Sequence, residues 1–403
     1  MGLLEVKNIT KNFGGVAALS GADFSINAGE VCGLLGANGS GKTTFFDVFG
    51  FLSDALQNNV TVAVNRRGGF HELISRGCTE KDKIAFEIKF RSPQIGESSP
   101  PLVTYSLEIG YEGGKIIVER EILKYRRGQY GQPWKFLNFE KGEGTAISNE
   151  DEYGKTGVKD KREYQKVSSP DILALKGLGQ FEKYRVISSF RSLLEHWYIS
   201  NFKIEYGRGI SETGLAEHLS KTGDNLAQAT KYLYDYHREI FNRMLKKLPQ
   251  RIPGINEVEA KETEDGMILL RFKDDNFINP FLSKFVSDGT IKMFAYLVLL
   301  YDPTPHPLLC VEEPENYLHP DLLLQLCEEI REYSERGGQV FVSTHSPDFV
   351  NGVQVEELFF LRKEKGYTSI QAANDDSDVR DLAEENQLGW LWRNHYIRGA
   401  NLQ

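Results

Sequence analysis

The run Gly36-Ala37-Asn38-Gly39-Ser40-Gly41-Lys42-Thr43 sets small, conformationally free residues ahead of a lysine and a hydroxyl. Glycines at this spacing let consecutive backbone N–H groups turn inward around an anion, and a helix starting beside them adds its positive end. In a cradle of this kind Lys42 reaches the β- and γ-phosphates of a nucleotide and the Thr43 hydroxyl ligates Mg2+. Ser40 and Thr44 complete the phosphate-facing set.

Far along the chain, LLCVEEPE ends an apolar run with Glu312 and Glu313. At the C-terminal edge of a parallel sheet, where such folds bind ligands, the first acid can hold Mg2+, directly or through water. The second can polarise an attacking water as general base. Neighbouring strand residues point oppositely, but Pro314 breaks the regular backbone and lets both face one cleft. STHSP places His345 after a further apolar run, positioned to hydrogen-bond a γ-phosphate or that water. An acid pair or a lone histidine is commonplace. Joined to a phosphate cradle, they are expected to form one site.

These residues need a scaffold that brings both ends of the chain together. EVCGLLG reads as a strand buried on both faces, and a helix follows over Lys42 to Leu56. Leu3 to Asn27 reads as short strands with turns. KIAFEIKF, LVTYSLEI and GKIIVEREILKY alternate as half-buried antiparallel strands do. The polar stretch from Asn138 to Pro170 reads as an exposed loop or arm. Lys124 to Tyr130 is either a nucleic-acid contact or an exposed hairpin tip. Leu215, Leu219, Leu226, Ala229, Tyr232 and Leu233 fall at helical spacing, predicting two helices within Gly214–Leu248. INEVEAKE and MILLRFK return to strand. From Leu282 a helix (Ile291–Leu300), a strand (Leu308–Val311), a helix (Leu322–Glu335) and a strand (Gln339–Ser343) predict parallel strands joined by helical crossovers.

With 403 residues, 40% hydrophobic and 26% charged, the chain can build a large globular core. Its net charge of −9 argues against sequence-independent DNA binding over the whole surface, while leaving room for a local basic groove. The cysteines at 32, 78, 310 and 327 lack metal-ligand spacing, so a reducing compartment is expected. No leader-like N-terminal stretch is present, and Met293–Tyr301 is too short to span a bilayer. A cytoplasmic protein without direct membrane insertion is expected.

Together the motifs resemble an ABC-type ATPase of the RecF/SMC-like, OLD-like predicted-ATPase group. GANGSGKT resembles its Walker A, LLCVEE its Walker B with Glu312 in place of the usual Asp, and STHSP its histidine switch. Ser287, Asp288 and Gly289 in FVSDGTIK resemble its shortened signature, and ENYLHP its D-loop region. Residues 3–44 resemble a sugar-importer ATPase more closely, which implies Phe13 as an adenine-stacking aromatic.

The resemblance implies an α/β P-loop NTPase: an ABC-type head with a mixed sheet and an inserted β/α arm. The N-terminal lobe would span residues 1–60, the arm 61–280, and the C-terminal lobe 281–403. It further implies ATP and Mg2+ as ligands. The catalytic residues would be Lys42, Glu313 and His345, with Thr43 and Glu312 on the metal. A homodimer would close around ATP, the signature of one chain meeting the γ-phosphate held by the other. A switch of this kind, serving phage defence or DNA metabolism with a separate nuclease-like effector, is the leading expectation. A transporter's ATP-binding subunit and a DNA-end-binding repair ATPase are the alternatives.

Overall fold

The computed structural model describes residues 4–13, 16–26, 29–37, 39–74, 79–91, 100–126, 132–152, 159–209, 211–364 and 367–397, with side chains from residue 29 onward, those of 151, 363, 364 and 367 excepted. Strands β1 (Leu4–Phe13) and β2 (Val16–Ile26) pair antiparallel and lead into β3 (Val31–Leu35). Helix α1 (Lys42–Gln57) follows, then the short helices α2 (Val60–Asn65) and α3 (Phe70–Leu73).

An antiparallel sheet comes next in the chain: β4 (Ile84–Arg91), β5 (Leu102–Glu112), β6 (Lys115–Tyr125), β7 (Trp134–Glu140), β8 (Glu143–Ile147) and β9 (Arg162–Lys166). With β1 and β2 it forms an eight-stranded sheet in the order β2-β1-β4-β5-β6-β7-β8-β9. Alternation dictates its inner face: Val103, Tyr105, Leu107 and Ile109 of β5 are fully buried, as period-two patterning requires.

The stretch expected to be an exposed loop, Asn138–Pro170, instead contains β8, β9 and the end of β7. Leu137 pairs with Ala146 and Asn138 with Thr145, and Ala146 and Ile147 are completely buried. Its abundance of Lys, Glu and Gly conceals a tight hairpin. Lys141 and Gly142 both take positive φ, 48° and 85°, the backbone sense that matches strand twist in two-residue turns.

Helices α4 (Ala174–Leu178) and α5 (Arg185–Glu195) pack on this sheet and lead to β10 (Trp197–Ser200). Next come α6 (Ile204–Gly207), β11 (Ser211–Glu212), α7 (Leu226–Tyr236) and α8 (Arg238–Arg251). The helical spacing read from Gly214 therefore begins too early. Leu215 is 66% exposed, and Asn225 holds the preceding turn by accepting from the Ser220 N–H and donating to the His218 carbonyl.

Strands β12 (Ile255–Glu262), β13 (Met267–Asp274) and β14 (Phe281–Leu282) form a small antiparallel sheet with β11. The C-terminal part alternates α9 (Asp288–Leu300), β15 (Leu308–Glu312), α10 (Pro320–Glu335), β16 (Gln339–Ser343), α11 (Pro347–Val350), β17 (Leu358–Glu364), β18 (Tyr367–Ala372), α12 (Ser377–Ala383) and α13 (Leu388–Arg393).

The sheet that matters for chemistry has the order β10-β15-β16-β3-β17-β18. Every neighbouring pair is parallel except β17–β18, so the sheet is mixed. Residues on its two faces enter different cores. Cys32 and Leu34 of β3, with Cys310 and Phe341, pack under α1 and the eight-stranded sheet. Val31, Leu35, Leu309, Val311, Val340 and Val342 pack on the opposite side, with residues of α8, α9 and α10. Burial on both faces explains why β3, β15 and β16 read as uninterrupted apolar runs. From Ile291 to Leu300 every residue of α9 is buried, Lys292 included. Among the described residues no helix is long and apolar enough to cross a membrane. Cys32, Cys310 and Cys327 are buried free thiols, and Cys78 lies outside the described residues.

Candidate functional site

Three adjacent parallel strands, β15, β16 and β3, end at one edge of the mixed sheet. Chain from positions near 40, 312 and 344 meets there. After β3 the backbone turns through Gly39 (φ 78°) and Gly41 (φ 104°), the latter capping α1. Gly36 is required sterically: a Cβ there would stand 2.9 Å from the Leu361 carbonyl and collide with the Ser40 hydroxyl. The carbonyl of Ser40 accepts a 2.6 Å hydrogen bond from the fully buried Thr368 hydroxyl of β18, so the hairpin β17–β18 braces the loop.

Lys42 folds back over this loop, its Nζ donating to the carbonyls of Gly36 (2.6 Å) and Ala37 (3.2 Å). Burial lowers its pKa to about 8, opposed by the charges of Glu313 and Glu315. A buried cation facing carbonyl groups and two carboxylates can exchange the carbonyls for phosphate oxygens. Thr43, one residue on, is exposed at the mouth, while Thr44 is buried in the first turn of α1.

Glu312 ends β15, and burial raises the pKa of its carboxyl, with the Thr43 hydroxyl acting in the opposite sense by hydrogen bonding. Its Oε1 is buried with no hydrogen-bond partner, as is Oγ of Ser40. Buried polar atoms without partners are uncommon. Here one is a carboxylate oxygen beside a threonine hydroxyl and the other a hydroxyl within a glycine loop. That donor set fits a hard dication and a phosphate respectively.

Glu313 has φ of 43°, a left-handed backbone that costs a non-glycine residue about 1–2 kcal/mol. Neighbours hold it there. Its N–H donates to the Ser343 carbonyl at 2.8 Å, and its carbonyl accepts from the Asn316 N–H at 3.1 Å and from Lys292 Nζ at 3.3 Å. This backbone turn accounts for both acids reaching one cleft, and it lies at Glu313 itself rather than at Pro314. The Glu313 carboxylate meets His345 Nε2 at 3.3 Å and Asn316 Nδ2 at 2.9 Å. Burial, and after it the charge of Lys42, lowers the pKa of His345, while Glu313 and Glu315 oppose the shift. The imidazole is thereby biased toward its neutral form.

Glu315 and Asn316 were legible in the sequence only as part of the D-loop-like ENYLHP, and Lys292 and Thr368 carried no motif. Glu315 accepts from the Thr344 hydroxyl (3.0 Å) and the His345 N–H (2.5 Å), fixing the loop that carries the imidazole. Lys292 also donates to the Asn316 carbonyl at 2.7 Å, and burial lowers its pKa to about 8. A lone lysine inside an apolar helix was the available signal.

Ser287 sits apart from this cluster, as N-cap of α9, its side chain accepting from the Thr290 N–H at 3.2 Å. The helix N-terminus behind it carries partial positive charge. Asp288 is engaged by Arg208, whose Nη2 lies 2.5 Å away, and a Cβ on Gly289 would meet the Tyr317 carbonyl at 2.7 Å. Asn38 lies outside the described residues, and Phe13 ends β1 with its side chain outside them.

Known proteins share the fold. The head of an Smc protein solved with the C-terminal winged-helix domain of ScpA superposes with a TM-score of 0.53 at 12% identity, covering 92% of this chain and 96% of that one; at such identity the likeness is one of fold. A probable amino-acid ABC transporter ATP-binding protein of Haemophilus influenzae is 60% identical over 45 residues, 11% of this chain and 18% of its own. The xylose import ATP-binding protein XylG of Shigella flexneri is 54% identical over 46 residues, 11% of this chain and 9% of its own. The chain thus spans less than a fifth of the length of these two relatives. The family described as "AAA domain, putative AbiEii toxin, Type IV TA system" matches residues 31–351, from β3 through β16 and α11. The chain belongs to this family of ATPases and has a mixed α/β fold like that of the Smc head.

Proposed function

We propose that this chain is a switch ATPase: it binds ATP in the Gly36–Thr43 loop, dimerises around it, and resets by hydrolysis. The observation that carries the reading is the meeting of Lys42, Glu312, Glu313 and His345 at the C-terminal edge of β3, β15 and β16, with Lys42 in the field of Glu313. Lys42 leaves the Gly36 and Ala37 carbonyls and pairs with the β- and γ-phosphates. Thr43 and Glu312 hold Mg2+, which supplies charge neutralisation on the phosphates. Glu313 takes the proton of the attacking water, and His345 donates a hydrogen bond toward the γ-phosphate. Glu312 does the work of the usual Asp.

In the dimer, Ser287 and the α9 N-terminus of one chain face the γ-phosphate bound to the other, so ATP bridges the two. We place the protein in the cytoplasm, in phage defence or DNA metabolism, acting with a separate nuclease-like effector. The test is mass measurement in solution with ATP and Mg2+. Glu313→Gln accumulates a dimer and loses turnover, while Lys42→Ala stays monomeric. A Glu313→Gln protein that hydrolyses ATP at the parent rate overturns the reading. A pull-down that captures a nuclease encoded beside this gene supports the effector assignment. The partial identity to importer ATPases favours one second reading, a transporter subunit, which requires co-purification with a membrane protein.

A further inference from the structure

At the opposite end of β15 from the nucleotide site, three side chains from two connecting segments converge. His218 comes from the loop before α7, Asp302 follows α9, and His306 precedes β15. One ligand atom from each lies within 4.8 Å of the other two. Each is prepared in a different way. His306 is 6% exposed, and its Nδ1 faces the His196 carbonyl at 3.2 Å. A carbonyl can only accept, so Nδ1 carries the proton and Nε2 carries a lone pair. That Nε2 is buried and has no hydrogen-bond partner. Burial lowers the pKa of this ring to about 4, so it stays neutral across the physiological range.

Asp302 is 3% exposed at its side chain, with Oδ1 occupied by the Thr304 N–H at 2.8 Å and Oδ2 directed at His218 Nδ1 at 2.7 Å. His218 is 38% exposed at its side chain, which leaves a path from solvent. The His306 backbone is fixed as well, its N–H donating to the Tyr333 hydroxyl at 2.7 Å.

We propose that His218, Asp302 and His306 form a binding site for a zinc-type transition dication, separate from the Mg2+ site at Thr43 and Glu312. Two imidazole nitrogens and one carboxylate oxygen, with a fourth position open toward solvent, form a donor set suited to such an ion. The His196 carbonyl behind His306 and the Thr304 N–H behind Asp302 provide the outer hydrogen bonds that fix metal ligands in orientation. Ligand atoms about 2 Å from a shared ion stand no more than about 4 Å apart, so a small rotation of the half-exposed His218 ring completes the set. Binding displaces the proton between His218 and Asp302 to solvent. The ion ties the C-terminal end of α9 to the start of β15 and to the loop before α7. It thereby fixes the helix whose other end carries Ser287 against the strand whose other end carries Glu312.

The test uses the full chain without a histidine tag, stripped with a chelator and titrated with Co2+, whose visible absorption reports four-coordinate nitrogen and oxygen ligation. One Co2+ per chain, displaced by Zn2+, is expected, with a higher melting temperature when Zn2+ is bound. His218→Ala, at a half-exposed loop position, and His306→Gln each weaken binding about a hundredfold or more. Glu312→Gln leaves it unchanged, which separates this site from the nucleotide site. Absence of Co2+ absorption in the folded parent chain overturns the proposal, as does parent-like affinity in both histidine variants.

Discussion

Nε2 of His345 lies 3.3 Å from Oε1 of Glu313, although all of α10 and β16 separates them in the chain. The contact exists because β15 and β16 are parallel neighbours in register, with Glu312 opposite Ser343. Both strands therefore deliver their last residues to the same edge. The site is a property of that edge, and several consequences can be measured.

Nucleotide affinity should depend on pH through Lys42. Its pKa in the nucleotide-free protein is lowered to about 8, so below that value it is already charged and affinity is flat. Above it the lysine must take up a proton to pair with phosphate, and affinity falls by up to about tenfold per pH unit. Lys42→Arg, permanently charged, should flatten this slope whatever its absolute affinity. Calorimetry in buffers of different ionisation enthalpy reads the proton uptake directly.

Glu315 acts as a positioning residue for His345, and Glu315→Ala leaves the His345 N–H and Thr344 hydroxyl without their acceptor. Turnover should fall about ten- to a hundredfold with KM for ATP little changed. Glu315→Gln, which can still accept one hydrogen bond, should recover part of it. A rise in KM with unchanged kcat would show that Glu315 serves binding instead.

Gly289→Ala places a Cβ against the Tyr317 carbonyl at 2.7 Å, displacing the α9 N-terminus. Binding of ATP to the single chain should be retained, while the dimer expected with Glu313→Gln should weaken by about tenfold or more. Sedimentation of the Glu313→Gln and Gly289→Ala double variant against Glu313→Gln alone checks this.

Away from the site, buried Glu121 accepts from the N–H groups of Ala174 (2.6 Å) and Leu175 (2.9 Å) and from the Tyr105 hydroxyl (3.1 Å). Burial raises its pKa to about 7, above its unfolded value. The folded chain holds this proton more tightly than the unfolded chain, so the contribution is full below pH 4.5 and is lost as pH rises to about 7. The full span corresponds to about 3 kcal/mol. Glu121→Gln should remove that part of the pH dependence in denaturant titrations. Glu121→Leu leaves two buried N–H groups unpaired, a loss of about 1–3 kcal/mol for each.

Strands buried on both faces and the alternating strands β4 to β6 were legible because burial imposes their patterns directly. The hairpin β7–β8 was not, since Lys141 with positive φ lacks the usual Asn-Gly or Asp-Gly mark of such a turn. The start of α7 was misplaced because Leu215 and Leu219 continue a helical spacing by coincidence of composition. Gly223, with φ of 78°, turns the chain just before the helix begins.

For the site, residue chemistry and spacing alone named Lys42, Thr43, Glu312, Glu313 and His345, because phosphate binding and water activation admit few side-chain types. Which groups support them was decided by folding. Lys292, Glu315 and Thr368 matter through contacts between segments distant in the chain. The left-handed backbone at Glu313 exists only because Ser343, Asn316 and Lys292 surround it. The cluster of His218, Asp302 and His306 likewise depends on folding, since His218 precedes α7 while Asp302 and His306 share the connection between α9 and β15, about 84 residues on. A sequence records what a side chain can do; the partners that orient it, and the water that burial excludes, are set by tertiary packing.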